Sequence, residues 1–263
     1  AIYQNALTSV SNVISNQLGD ESSGVPSAPG TASVWYSGGT FNSAGTYVQV
    51  SSQANEDAIG VAKHSSQSQP IMLAAESKLL QAEAVVRGYL AVTDGASTLF
   101  RSGIFNSFNY LYKNAKGAVD ASKNFLWQIP DAVNGGTKTD QTRSVTGDVD
   151  DYIATNAANP LVDFTVALTT AQKLEAIITQ KYIALNMIAN DEALAEFRRT
   201  TYPTIVNGSL TPTSTFASRQ STSPRADKLT TRTLYPQSEF NLNPSNVPTG
   251  ISQFTSRIFW DLN

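Results

Sequence analysis

Apolar residues recur at intervals of three and four positions along much of the chain, the spacing that places them on one face of a helix. This spacing predicts long amphipathic helices over residues 2–18, 71–90 and 170–188. We expect Pro70 to begin the second of these helices, because the first residue of a helix needs no N–H donor. Thr169 and Gln172 form a capping-box pair, which marks the start of the third helix.

A further helix is expected soon after residue 90, with Asp94 and Ser97 as candidate caps. Its apolar face carries Leu99, Phe100, Ile104, Phe108 and Leu111. Because only about four residues would connect it to the helix over 71–90, the two helices should pack antiparallel as a hairpin.

Shorter elements are expected in the middle of the chain. The pattern predicts a short helix over 118–130 that ends at Trp127 and Pro130, followed by a polar loop to residue 146. A helix is expected to begin near Asp148, and a short helix over 191–199 should be closed by Pro203.

Two segments have the composition of loops. Residues 19–69 are rich in Ser, Gly and Asn, with one short strand expected over 46–50. Beyond residue 204, repeated prolines predict irregular coil with short helical turns. The chain is therefore interpreted as part of a single domain, with long loops at 19–69 and 131–147 and an irregular C-terminal segment at 204–263.

Several blocks of sequence together resemble the SusD/RagB family of outer-membrane nutrient-binding lipoproteins. The blocks are Ile177–Pro203, Leu234–Pro248, the terminal Phe259-Trp260-Asp261, and AESKLLQAEAVVRGYL over Ala75–Leu90. The resemblance implies a mostly α fold, in which tetratricopeptide-like helix pairs form an α-α superhelix beside long irregular loops. Because complete family members are longer, this sequence is similar to the second half of such a chain, without the lipidated N-terminal cysteine.

The resemblance also implies a function. Such proteins of Gram-negative bacteria lie at the cell surface, anchored in the outer membrane by a lipid, over a SusC-like TonB-dependent transporter. They bind oligosaccharides, or in some members peptides, for nutrient uptake, and they are neither enzymes nor cofactor-dependent. A structural helical-repeat adaptor and a glycoside hydrolase are the alternatives from other classes.

The composition agrees with such a role. The formal net charge is −3 and the sequence pI is about 5.2. This balance does not indicate the positively charged surface by which proteins bind nucleic acid. Charged residues make up 15% of the chain, and Ser, Thr, Asn and Gln supply much of the polar surface. The absence of cysteine excludes disulfides and thiolate metal sites within these residues.

Aromatic residues among neutral hydrogen-bonding residues are the candidate ligand contacts, because a sugar ring stacks on aromatic faces and its hydroxyls need polar partners. The candidates in the first long loop are Trp35, Tyr36, Phe41, Asn42 and Tyr47. Alternatively, these rings pin the loop to the scaffold. Trp127 and Tyr152 form a second candidate pair, with a core role as the alternative.

Acidic residues allow two further hypotheses. Asp148, Asp150 and Asp151 offer oxygen ligands for Ca²⁺, but the spacing of an EF-hand is absent, and acidic residues at a helix start also favour the helix dipole. Glu76 and Glu83 lie on one helical face about 10 Å apart by helical rise, wider than a retaining glycosidase uses. We expect these two carboxylates on a solvated face.

Overall fold

The computed structural model describes residues 66–119, 144–186, 188–209, 214–218 and 220–261 with their side chains, and also the backbone of four short strands. The chain divides into two compact units, and the boundary within the described residues falls between Ala193 and Leu194. The helix predicted over 2–18 lies outside the described residues, and the interpretation as a single domain stays a prediction.

The described elements alternate between short hairpins and helices. In chain order they are β1 (Gly39–Phe41), β2 (Tyr47–Gln49), α1 (Ala74–Val86), α2 (Gly95–Tyr112), β3 (Phe125–Pro130), β4 (Lys138–Arg143), α3 (Val145–Thr155), α4 (Thr170–Leu185), α5 (Asn190–Thr200) and α6 (Gln237–Leu242). The strands form two separate antiparallel pairs, β1 with β2 and β3 with β4. The fold is thus mostly helical, as predicted.

Helices α1 and α2 pack against each other along their apolar faces. At their crossing, a Cβ added to Gly103 would lie 2.5 Å from Cγ of Leu79, so glycine is what allows this close approach. Leu79 and Gly103 lie about equally far from the connection between the helices, as in an antiparallel hairpin. All five apolar residues predicted for the face of α2 are buried.

Helix α4 packs on α1 and α2, and α3 packs on α2, which completes a layer of helices. The main core cluster of this layer contains, among others, Leu79, Phe100, Ile104, Phe108, Val149, Phe164 and Ile177. A smaller cluster joins Leu73 and Ala75 to Ala184 and Leu185, so the start of α1 lies beside the end of α4. The predicted capping box at Thr169 and Gln172 is present.

Helix α1 is shorter at both ends than the prediction of 71–90. Pro70 does not begin it, because Leu73 is the extended N-cap residue, and Ile71 before it is 99% exposed. At the other end, Gly88 adopts φ +78, and its N–H donates a hydrogen bond to the carbonyl of Val85. The N–H of Tyr89 donates to the carbonyl of Ala84. These two hydrogen bonds form a Schellman motif, which ends the helix before Gly88. The prediction used only the spacing of apolar residues and therefore took no account of this glycine.

The helix predicted over 118–130 is wrong, because Phe125–Pro130 is strand β3. Its partner β4 lies in the segment 131–147, which was predicted to be a loop throughout. Helix α3 begins at Val145 instead of near Asp148, since the Oγ of Ser144 accepts a bond from the N–H of Gly147 and caps it. The strand predicted over 46–50 is confirmed as β2, and β1 is an addition within the predicted loop.

The second unit is irregular, as predicted for the C-terminal segment, with α6 as a short helical turn. Polar side chains fix its backbone. Ser223 donates to the carbonyl of Leu229 at 2.7 Å, and Arg225 makes two bonds to Asp227, at 3.0 and 2.7 Å. Side-chain hydrogen bonds thus fix much of the backbone in the described part of this segment.

Candidate functional site

The first group of predicted ligand residues is only partly within the described structure. Trp35, Tyr36 and Asn42 lie outside the described residues. Phe41 and Tyr47 are partners in the register of β1 and β2, so the hairpin brings two of the predicted aromatic positions directly opposite each other. Partner positions of an antiparallel pair belong to the same face of the ladder.

The second group is divided between a hairpin and the helical layer. Trp127 is in the middle of β3, and its partner in β4 is Gln141. Its predicted role in closing a helix is therefore excluded, because the local structure is a strand. Gln141 had no special place in the sequence pattern, since only the register of the hairpin brings it opposite Trp127.

Tyr152 belongs to the helical layer. Its ring lies 5.6 Å from that of Phe108, and its hydroxyl accepts a 3.1 Å bond from Nε2 of Gln180. The same amide of Gln180 donates to the carbonyl of Leu161 at 2.9 Å. Burial raises the pKa of the Tyr152 hydroxyl, so it stays neutral across the physiological range. Its role in ligand binding stays a prediction.

Of the three aspartates considered for Ca²⁺, Asp148 and Asp150 differ in burial and in hydrogen-bonding partner. Asp148 is buried and accepts a hydrogen bond from the hydroxyl of Tyr112, whereas Asp150 is exposed and paired with Arg101. Burial raises the pKa of Asp148 to about 7, with a further contribution from nearby Asp151. Within the described residues, no three side chains of the metal-binding types cluster in a way that would hold a metal ion.

Glu76 and Glu83 are not on a solvated face, contrary to expectation. The carboxylate of Glu76 lies 3.3 Å from Nζ of Lys181, and the side chains are 12% and 3% exposed. Glu83 is buried and accepts a 2.7 Å bond from Nε of Arg87. Both carboxylates are held by cations within the scaffold, an arrangement that leaves neither positioned as a free acid or base. Lys181 interrupts the apolar positions along α4, which is a sequence signal for a buried charge but does not identify Glu76 as its partner.

The C-terminal signature divides between buried and exposed residues. Asp261 is buried, whereas Phe259 is 97% and Trp260 38% exposed. Asp261 raises the pKa of Arg198 and so opposes the larger effect of burial, which lowers it. Near the end of α5, Arg199 forms a salt bridge with Glu196 at 2.5 Å.

The helical layer, the irregular C-terminal unit and the sequence blocks correspond to one known family. The family model described as SusD-like, Susd and RagB outer membrane lipoprotein, matches residues 34–261. The chain therefore belongs to the SusD-like family, and its location is the outer membrane. No curated protein matches the chain.

Solved structures of SusD homologues are similar to this chain. One from Bacteroides fragilis is 26% identical, covering 74% of this chain and 36% of that one, with a TM-score of 0.48. A SusD-like protein from Bacteroides thetaiotaomicron is 21% identical over 88% of this chain and 47% of its own, with a TM-score of 0.48. A chitin-binding SusD homologue from Flavobacterium johnsoniae is 24% identical over 73% and 36%, with a TM-score of 0.44.

The chain thus spans less than half the length of each of these three structures. Across the part of the chain that the structure describes, no helix has the length and apolar character needed to cross a membrane.

Proposed function

We propose that this protein is a non-catalytic binding protein of the cell surface, which captures an oligosaccharide and delivers it to a SusC-like TonB-dependent transporter. The observation that carries the proposal is the match of the SusD-like family model over residues 34–261. Attachment to the outer membrane would come from a lipid anchor upstream of this chain.

The chemistry of the candidate positions supports a neutral ligand. Aromatic positions are paired in β1 and β2, and an aromatic position faces an amide position in β3 and β4. The proposed ligand contacts are the predicted residues Trp35, Tyr36, Phe41, Asn42, Tyr47, Trp127 and Tyr152. Stacking and neutral hydrogen bonds would then dominate, because many of the charged groups in the helical layer already pair with each other.

The carboxylates support a binding role over hydrolysis. A glycosidase needs two carboxyl groups free to act on either side of a glycosidic bond. Glu76 and Glu83 are paired with Lys181 and Arg87, and Asp148 is buried against Tyr112. These three carboxyl groups therefore interact with other side chains of the helical layer, as structural groups do.

Affinity electrophoresis in gels that contain different neutral polysaccharides tests the proposal. Retardation by at least one polysaccharide is expected, with competition by its oligosaccharides and without new reducing ends during incubation. Retardation relieved by peptides and not by oligosaccharides would favour peptide capture, and steady release of reducing sugar would identify a hydrolase. If neither sugar nor peptide binds, a structural adaptor becomes the better interpretation.

Trp35→Ala should weaken the retardation without changing the thermal unfolding midpoint, because we place Trp35 at the ligand. An unchanged affinity would remove Trp35 from the site and leave the class of function intact.

A further inference from the structure

Helix α3 carries a buried carboxyl group on the side that packs against α2. Asp148 lies in the first turn of α3 and is 1% exposed. It accepts a hydrogen bond from the hydroxyl of Tyr112, which is 3% exposed at the end of α2. One helical turn away from this contact on both helices, the rings of Phe108 and Tyr152 lie 5.6 Å apart. The contact between Tyr112 and Asp148 is therefore part of the interface between α2 and α3.

A small number of buried residues hold α3 to the helical layer. These residues are Val145, Asp148 and Val149. Among the described elements α3 packs chiefly on α2, and the hydroxyl of Tyr152 accepts a hydrogen bond from Gln180 of α4. Residues 113–144 separate α3 from α2 along the chain, and residues 156–169 separate it from α4. Helix α3 can therefore leave the layer without pulling α2 or α4 with it.

Several groups act on the charge of the Asp148 carboxyl. Burial raises its pKa, the positive charge of the chain's amino group lowers it, and the carboxyl of Asp151 raises it. On α2, the hydroxyl of Tyr112 contacts the carboxyl, whereas the guanidinium of Arg101 pairs with the exposed Asp150. The hydrogen bond from α4 to α3 comes from an uncharged amide. Loss of contact with water is thus the largest influence on this group.

Ionisation changes the free energy of keeping this carboxyl in the interface. A protonated carboxyl accepts the hydrogen bond of the hydroxyl without placing a charge between the helices, whereas a carboxylate must give up its hydration to stay there. Opening of α3 returns the carboxylate to water. Rising pH therefore favours the open form until the carboxyl is ionised in the closed form as well.

We propose that the contact between Tyr112 and Asp148 is a pH-sensitive switch, which holds α3 on α2 while the carboxyl is protonated and lets α3 open as a unit when it ionises. Helices α1, α2 and α4 stay packed in this open form. Elements held by few buried contacts can open in this way well below the free energy of global unfolding. The inference goes beyond the proposed function, and its test needs no ligand.

Hydrogen exchange of the parent protein between pH 5 and 8, followed by mass spectrometry, measures the opening of α3. After correction for the intrinsic pH dependence of amide exchange, opening at residues 149–155 should rise about 30- to 100-fold. This rise follows from a pKa of about 7 in the closed form against 3.8 for a carboxyl in water. At every pH, residues 149–155 should open more often than residues 176–185 of α4.

Low concentrations of urea distinguish local opening from global unfolding. A local opening exposes little surface, so urea should change exchange at residues 149–155 little, whereas exchange through global unfolding should accelerate at residues 176–185. Equal opening and equal urea dependence of the two helices would overturn the switch, because α3 would then open only when the whole layer unfolds. This comparison uses the parent protein, so it decides the matter even if a variant fails to fold.

Two variants and a matched control separate the switch from a purely structural contact. Asp148→Asn keeps an acceptor for Tyr112 but cannot ionise, so the rise in α3 opening between pH 5 and 8 should fall below about threefold. Tyr112→Phe removes a donor that binds a carboxylate more strongly than a carboxyl, so it should increase opening more at pH 8 than at pH 5. Asp150→Asn removes an exposed carboxylate of the same helix and should keep the rise of the parent.

Two results with these variants would contradict the switch. A parent-like rise in Asp148→Asn would assign the pH dependence to another group. The same increase in opening at pH 5 and pH 8 in Tyr112→Phe would make the contact a structural hydrogen bond without a role in pH sensing.

Discussion

The helical layer and the C-terminal unit are stabilised in opposite ways. In the helical layer, apolar residues from different helices bury one another around Leu79, Phe100 and Ile177. Within the described part of residues 194–261, most buried residues are polar. The buried polar residues are Glu196, Ser223, Thr231 and Asp261, and the buried apolar residues are Phe197 and Val247.

This difference decides what a substitution should do in each region. Truncating a packed apolar side chain loses transfer free energy and leaves a cavity. Removing a buried hydroxyl loses hydrogen bonds whose net contribution is smaller. Large losses of stability should therefore concentrate in the helical layer, both at its packed apolar side chains and at its buried charges.

The largest effect is expected at the buried ion pair between α1 and α4. Lys181→Ala leaves the carboxylate of Glu76 in the scaffold without its cation, which should cost about 3–5 kcal/mol. Urea unfolding followed by circular dichroism measures this loss. The double variant Glu76→Gln, Lys181→Met should recover much of it, because no charge is then buried, and a double variant as unstable as Lys181→Ala would contradict the assignment.

A similar loss is expected at the centre of the apolar core. Leu79 is fully buried against Gly103, so Leu79→Ala should lower the free energy of unfolding by about 2–5 kcal/mol. Ile71→Ala is the matched control, since Ile71 is 99% exposed just before the same helix. Equal effects of the two substitutions would show that α1 is not packed as described.

The buried carboxyl of Asp148 should make stability depend on pH. Because its pKa is raised to about 7 in the fold from 3.8, the folded state holds a proton that the unfolded state releases. The contribution of Asp148 to the free energy of unfolding should therefore be greatest below about pH 4. It should fall as pH rises, by about 2–3 kcal/mol between pH 5 and 8. Asp163 and Asp227, whose pKa values are lowered, titrate below this window.

Asp148→Asn keeps a polar partner for Tyr112 but cannot titrate. Unfolding of this variant should have a flatter dependence on pH between 5 and 8 than the parent. The same slope in both proteins would assign the dependence to other groups.

The smallest effect is expected in the C-terminal unit. The hydroxyl of Thr231 lies 3.0 Å from the carbonyl oxygen of Gln253 and 2.9 Å from that of Ser256. Thr231→Val should cost about 0.5–1.5 kcal/mol, and the exposed Thr233→Val should cost less. Thermal unfolding of both variants checks the order, and a larger loss than at Leu79 would reverse the contrast between the two regions.

The helices of the scaffold could be predicted because their signals are local. The face of α2 and the capping box of α4 depend on residues three or four positions apart, and both are confirmed. The end of α1 was missed because a glycine with positive φ closes it, a signal outside the apolar pattern. The buried pair of Glu76 and Lys181 was missed because its partners are on different helices.

The hairpins were harder to predict because their pairing is not local. The apolar residues of Phe125–Pro130 suit a short helix as well as a strand, and the partner Lys138–Arg143 contains no apolar residue that would mark it as a strand. Trp127 was identified as a candidate by its type, whereas only the register shows that Gln141 is its partner position. The exposure of Phe259 and Trp260 could not be predicted either, because exposure depends on which distant residues pack against a side chain.

The most direct measurement of the proposed function is a calorimetric titration of the protein with an oligosaccharide of the polysaccharide that retards it. We predict saturable binding whose affinity changes little between low and high salt, because screening acts on charges and the ligand is neutral. The sugar should be recovered intact. Absence of binding, a steep loss of affinity with salt, or shortened sugar after the titration would contradict capture of a neutral oligosaccharide by a non-catalytic protein.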